Sequence, residues 1–107
     1  MIVEVYVISP KIDDPPRIMI PQMARVFAMF QHLRRHGVTM VPRHALHEAL
    51  DSDPRCRERF MTRQLASRVV RYYAAALIRE GYLRRDVANV VIPAGLLTTG
   101  TLIGEAE

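Results

Sequence analysis

Apolar residues recur along this chain with two different periods, and the switches between them mark out its elements. In residues 2–8, Val, Ile and Tyr follow one another with Glu4 as the sole charge, the composition of a strand covered on both sides. Residues 9–21 hold four prolines, which remove backbone donors and turn the preceding residues away from helix, so an extended connector or a flexible arm is expected there. From Pro21 the spacing becomes three and four. Met23, Val26, Phe27, Phe30 and Leu33 make a stripe, and Gly37 follows a basic last turn of Arg34, Arg35 and His36, which predicts a first helix. Residues 38–41 are a short strand or an extended link, and Pro42 opens a second helix with Ala45, Leu46, Ala49 and Leu50 facing inward.

Residues 51–61 then form a connection, and Thr62 is the expected N-cap of a third helix over 62–80, with Leu65, Val69, Val70, Tyr73, Leu77 and Ile78 on its buried face. Gly81 can close that helix in a left-handed conformation. After it the pattern predicts a strand over 82–85, a turn over 86–89 and a second strand over 90–92 stopped by Pro93, together a hairpin. The tail from 94 to 107 contains a Thr- and Leu-rich run whose composition favours a strand, either paired with residues 2–8 or hanging loose, before a frayed end. There is no internal repeat and no low-complexity run.

The other face of the third helix carries Arg63, Gln64, Ser67, Arg68 and Arg71, side chains suited to phosphate oxygens and to the major-groove edges of guanine and adenine. Charge sharpens this reading. The formal net of +4 is uneven: positions 55 to 85 hold nine Arg against Glu58 and Glu80, so the rest of the chain is net acidic. Between Arg59 and Arg79 no acid occurs, whereas a solvated helix face normally mixes both signs for mutual support. Tyr72 lies at the edge of this face, where its hydroxyl either reaches a phosphate or is buried beside Tyr73. Fourteen of the fifteen basic residues are Arg, whose planar fork pairs bidentately with phosphate or guanine; codon bias is an equal explanation of that preference, and the location of the charge carries more weight.

With 107 residues, half of them apolar, the chain is expected to bury one core and to form one domain over 1–107. Cys56 is the single cysteine, which excludes an intrachain disulfide, and the apolar N-terminal run is short, contains Glu4 and has no basic leader. No stretch approaches the roughly twenty apolar residues that cross a bilayer. A cytoplasmic protein with no membrane partner is expected.

At this point the run Leu77-Ile78-Arg79-Glu80-Gly81-Tyr82-Leu83 resembles the junction between recognition helix and wing in winged helix-turn-helix domains. The element order around it, over about 21–93, is similar to the rest of such a domain. The resemblance implies an α+β fold with three helices and a C-terminal β-hairpin wing, here with an additional strand over 2–8 in front and an extension over 94–107. It also implies sequence-selective binding of double-stranded DNA by a small transcriptional regulator. In that reading the third helix enters the major groove, N-terminal half toward the bases, while Arg84 and Arg85 of the wing and Arg57 and Arg59 of the connection grip phosphates. Two departures stand against the family pattern. The connection bearing Arg55, Arg57 and Arg59 is longer than the usual tight turn, and Val87, Ala88, Val90 and Val91 leave the wing's tip uncharged. The same fold also serves as a protein–protein adaptor within larger assemblies, which is the alternative function.

Other chemistries are less well furnished. His32 and His36 are four apart, and His44 and His47 three apart, spacings that bring each pair onto one helix face as a zinc site needs, but no carboxylate or thiol is fixed as a further ligand beside either pair. No metal and no other cofactor is expected. Asp13-Asp14 and the Asp51/Asp53 pair sit beside prolines in turns, without a nucleophile motif or a phosphate-cradling glycine loop, so the chain is not read as an enzyme. A single recognition helix reads few base pairs, and the apolar strand over 2–8 would be a hazardous free edge. A homodimer using that strand is therefore expected, with in-chain pairing to the tail as its rival.

Overall fold

A computed structural model of the chain describes residues 2–52, 65–92, 96–97 and 102. In order these form β1 (Val3–Ile8), a 3-10 turn (Pro10–Asp13), α1 (Pro21–Arg35), β2 (Met40–Pro42), α2 (Arg43–Ser52), α3 (Ser67–Arg79) and β3 (Leu83–Ala88). This is an α+β domain with three α-helices and one three-stranded antiparallel sheet among the described residues, a layout compatible with that of a winged helix.

The sheet departs from expectation where it matters most. Its order is β2-β1-β3, so the first strand lies in the middle. β1 pairs with β2 from Val5↔Pro42 to Val7↔Met40 and with β3 along its whole length, from Val3↔Ala88 to Ile8↔Leu83. The hairpin expected over 82–92 is corrected: residues 83–88 form one uninterrupted strand, and 90–92 are not a strand. Two local causes are visible. Residues 86–89, Asp-Val-Ala-Asn, contain no glycine for a tight hairpin turn, and the Asp86 carboxylate instead accepts from the Val87 amide at 2.7 Å. β1 in turn offers β3 six partner positions, five of them β-branched or aromatic, against three from 90–92. Along one edge of β1, β3 takes all six positions, and along the other β2 takes Val5 to Val7.

Helix burial follows the predicted stripes closely. Val26, Phe27, Phe30 and Leu33 of α1, Leu46 and Leu50 of α2, and Leu65, Val70 and Leu77 around α3 pack with Tyr6, Ile8, Val41 and Leu83 of the sheet into one core. Met29 joins them from a position outside the predicted stripe. Two helices end in the same way. At the end of α1 Gly37 has φ +82°, its amide donates to Arg34 O at 2.9 Å, and Val38 N donates to Leu33 O at 3.0 Å. At the end of α3 Gly81 has φ +82°, with Gly81 N to Ile78 O at 3.1 Å and Tyr82 N to Leu77 O at 2.9 Å. Both are Schellman motifs, each with a buried apolar pair, Leu33 with Val38 and Leu77 with Tyr82, completing the stop.

The connector after β1 is not a loose arm. Ile12 of the 3-10 turn is fully buried, its carbonyl accepts from Gln31 Nε2 at 2.8 Å, and Asp13 pairs with Arg34 at 3.4 Å. Lys11, the one lysine, donates to Glu80 O at 2.7 Å and lies 4.5 Å from the Tyr82 ring centroid. A cation thereby sits at the negative end of the α3 dipole and fastens the connector to it.

Candidate nucleic-acid interface

α3 starts later than the sequence pattern predicts. Residues 65 and 66 are not helical, Ala66 is the N-cap with extended backbone (φ −66°, ψ 152°), and its carbonyl accepts from Val69 N and Val70 N. The helix therefore spans Ser67–Arg79 rather than 62–80, and its exposed positions are Arg68, Arg71, Tyr72, Ala75 and Arg79. Separations of three and four along this set put all five on one stripe. The opposite side holds Val69, Val70, Ala74 and Leu77 in the core. No acid stands on the exposed stripe, and among the described residues Arg68, Arg71 and Arg79 have no ion-pair partner.

Ser67 does not belong to this stripe. It is 7 % exposed, and its hydroxyl lies 2.9 Å from His47 Nδ1, so its assignment to the outward face is corrected. The reason is the neighbouring helix: α2 covers the first turn of α3, and His47, 5 % exposed, needs partners there. Its other nitrogen, Nε2, is 3.1 Å from the Tyr6 hydroxyl. One ring nitrogen donates and the other accepts, and the two hydroxyls orient to match, so a neutral imidazole joins β1, α2 and α3. Burial, then the positive fields of Arg71 and Arg43, push the His47 pKa down to about 4, against a smaller opposing effect of Asp51.

Beside this link a cleft of about 350 Å³ is lined by Val3, Glu4, Arg43, His44, His47 and Arg71. It brings the first turn of α2 next to the arginine stripe of α3. Glu4 is the acid of the cleft, bonded to Arg43 and 3.8 Å from Arg85. Arg84 is also exposed but pairs with Asp86 at 3.0 Å. The two β3 arginines are thus partly neutralised, whereas those of α3 are not. Arg43 and Arg79 were not among the residues the sequence singled out. Arg79 continues the stripe one turn beyond Ala75, which its spacing from Arg68 and Tyr72 shows, while Arg43 is brought to Arg71 only by the tertiary fold.

Asp51 and Ser52, expected at the start of the connection, are instead the last residues of α2, and Arg57, Arg59, Arg63 and Gln64 lie outside the described residues, as do Cys56, Asp53 and the proposed cap Thr62. The histidine pairs are split by environment: His44 is exposed and 3.4 Å from Glu48, while His47 is buried, and burial lowers the pKa of His32, its neighbours Arg35, Arg25 and His36 adding to this against an opposing backbone contact at Leu102, whereas His36 is exposed. Among the described residues no three His, Cys, Asp or Glu side chains are grouped as a metal site would need, and no helix is long and apolar enough to cross a membrane. Compared with protein-family models, with curated proteins and with solved structures, the chain matches none.

Proposed function

We propose that the protein is a small transcriptional regulator of winged helix-turn-helix type that binds double-stranded DNA sequence-selectively through α3. The observation that carries this reading is the acid-free exposed stripe of Arg68, Arg71, Tyr72, Ala75 and Arg79, whose three arginines have no ion-pair partner among the described residues. A lone-sign face without internal neutralisation is costly in self-repulsion and suits a polyanion. Thirteen residues at 1.5 Å each give α3 a length of about 20 Å, the rise of about six base pairs, so the stripe fits a segment of major groove. In this reading Arg57 and Arg59 grip flanking phosphates and Arg63 and Gln64 contact bases, as the resemblance implies, while Arg43 beside Arg71 is already bonded to Glu4. Arg84 and Arg85 contribute less, since Asp86 and Glu4 already face them.

About six base pairs is too short a site to stand out in a genome, and a homodimer reading two half-sites repairs this. β1 is spent in the sheet, so the dimer contact falls elsewhere; Ile18 and Ile20, both exposed just before α1, are apolar surface of the right kind. A cytoplasmic location accompanies this function. The second reading is a protein adaptor using the same stripe, favoured by the exposed Tyr72, because Tyr and Arg are enriched at protein interfaces.

Salt separates the two. Fluorescence anisotropy with a duplex selected from a random pool should show affinity falling linearly, on logarithmic axes, as salt rises from about 50 to 200 mM. The Arg68→Ala/Arg71→Ala/Arg79→Ala variant should flatten that slope by up to about three units. Undiminished duplex binding by the triple variant overturns the assignment of α3, and salt-insensitive capture of a protein by this face favours the adaptor.

A further inference from the structure

Three of the five exposed positions of α3 are arginines, and the two that are not stand together at its centre. We infer that Tyr72 and Ala75 are the specificity-determining residues of this face and read thymine methyl groups, so that the protein selects A·T pairs at the middle of its site. The inference rests on the DNA-binding reading above.

Its physical basis is the complementarity of small apolar groups. Of the features that the four base pairs show in the major groove, the C5-methyl of thymine is the apolar one, and the rest are donors and acceptors that arginine, asparagine or glutamine would match. The centre of the stripe offers a ring and a methyl, with Arg68 and Arg71 before them and Arg79 after. Tyr72 and Ala75 are three residues apart, about 4.5 Å along the helix axis, close to the 3.4 Å rise between base pairs, so they face neighbouring pairs. Ala75 also lets the backbone approach the groove floor, where a longer side chain would hold it off.

Tyr72 is preorganised for such a contact. It is 72 % exposed, yet its ring stands edge-on against Tyr73 with centroids 5.0 Å apart and an interplanar angle of 86°. Tyr73 is itself anchored, its hydroxyl donating to Gln22 Oε1 on α1 at 3.3 Å. An exposed aromatic already held by a fixed neighbour loses little rotamer freedom on binding.

The test uses the full chain and a duplex selected from a random pool, compared with the same duplex in which deoxyuridine replaces the central thymines and removes only their methyl groups. Wild-type affinity should fall about fourfold for each methyl lost, or about fifteenfold for two. Tyr72→Ala should lose the part of the discrimination that its ring supplies and keep about the fourfold that Ala75 supplies, whereas Tyr72→Phe should keep the whole. Because the first comparison is made on the wild-type protein, it does not depend on how a variant folds. Equal wild-type affinity for both duplexes, or selected sites with no A·T pair at their centre, overturns the inference while salt-dependent duplex binding leaves the DNA-binding reading standing. If no duplex is selected at all, both fall together.

Discussion

His47 is held between two hydroxyls, Tyr6 on one side and Ser67 on the other, and its neutrality has a measurable consequence. A histidine whose folded pKa lies near 4 binds its proton more weakly than the unfolded chain does, at about 6.5, so stability rises with pH across that window. As pH falls from about 6.5 to 4, the protein should lose about 3 kcal/mol through this residue alone. Arg71, Arg43 and Asp51 are the charged groups around it. Denaturant melts of the wild type and His47→Gln at several pH values check this: the stability difference between them should shrink as the pH drops, and a constant difference would refute it. The spacing of His44 and His47 shows that two histidines share a helix face. It cannot show that α2 turns one of them under α3. Ser67 was misread for the same reason, since helical period orders side chains around an axis but says nothing of which neighbour covers the first turn.

At the level of elements, the helix ends were far more legible than the strand partners. Both Schellman stops are visible as a leucine followed four residues later by glycine and then an apolar residue, because the motif is local and needs only those side chains. That physical origin also limits what the run from Leu77 to Leu83 signifies. Leu33 to Val38 has the same pattern at the end of α1, so the signature marks a helix stop before an extended segment and not a DNA-reading helix in particular. Gly81→Ala and Gly37→Ala should each destabilise by about 1 to 2 kcal/mol, the cost of a left-handed L-residue. Among the described residues nothing lies within 4 Å of a Cβ at Gly37, and at Gly81 Lys11 Nζ is near, at 3.8 Å, so the two losses should be similar in thermal or chemical melts. The start of α3 was less legible because Thr62 is a good cap by composition, while the cap in use, Ala66, makes no side-chain hydrogen bond. The hairpin failed for a different reason: strand pairing is a competition among all apolar strands, and β1, distant in sequence, wins over the adjacent 90–92.

Across the whole molecule, that competition places the first strand between the other two. Removing residues 1–8 should therefore abolish the cooperative unfolding transition, since β2 and β3 would lose their shared partner and the core would lose Tyr6 and Ile8. A truncated chain that still melts cooperatively, followed by circular dichroism, would contradict the central place of β1. The position of β1 also carries a consequence for how the chain comes together in time. Val3 pairs with Ala88, so the middle of the sheet cannot close until nearly every other element has been made. During synthesis β1 is made before either of its partners; β2 can cover Val5 to Val7, but the other edge stays open until β3 follows, after all three helices. Closing a loop of that length slows folding, so refolding should lag that of helical bundles of similar size. For a strand this apolar, the interval between its own synthesis and that of its last partner is the period in which a chaperone has something to hold.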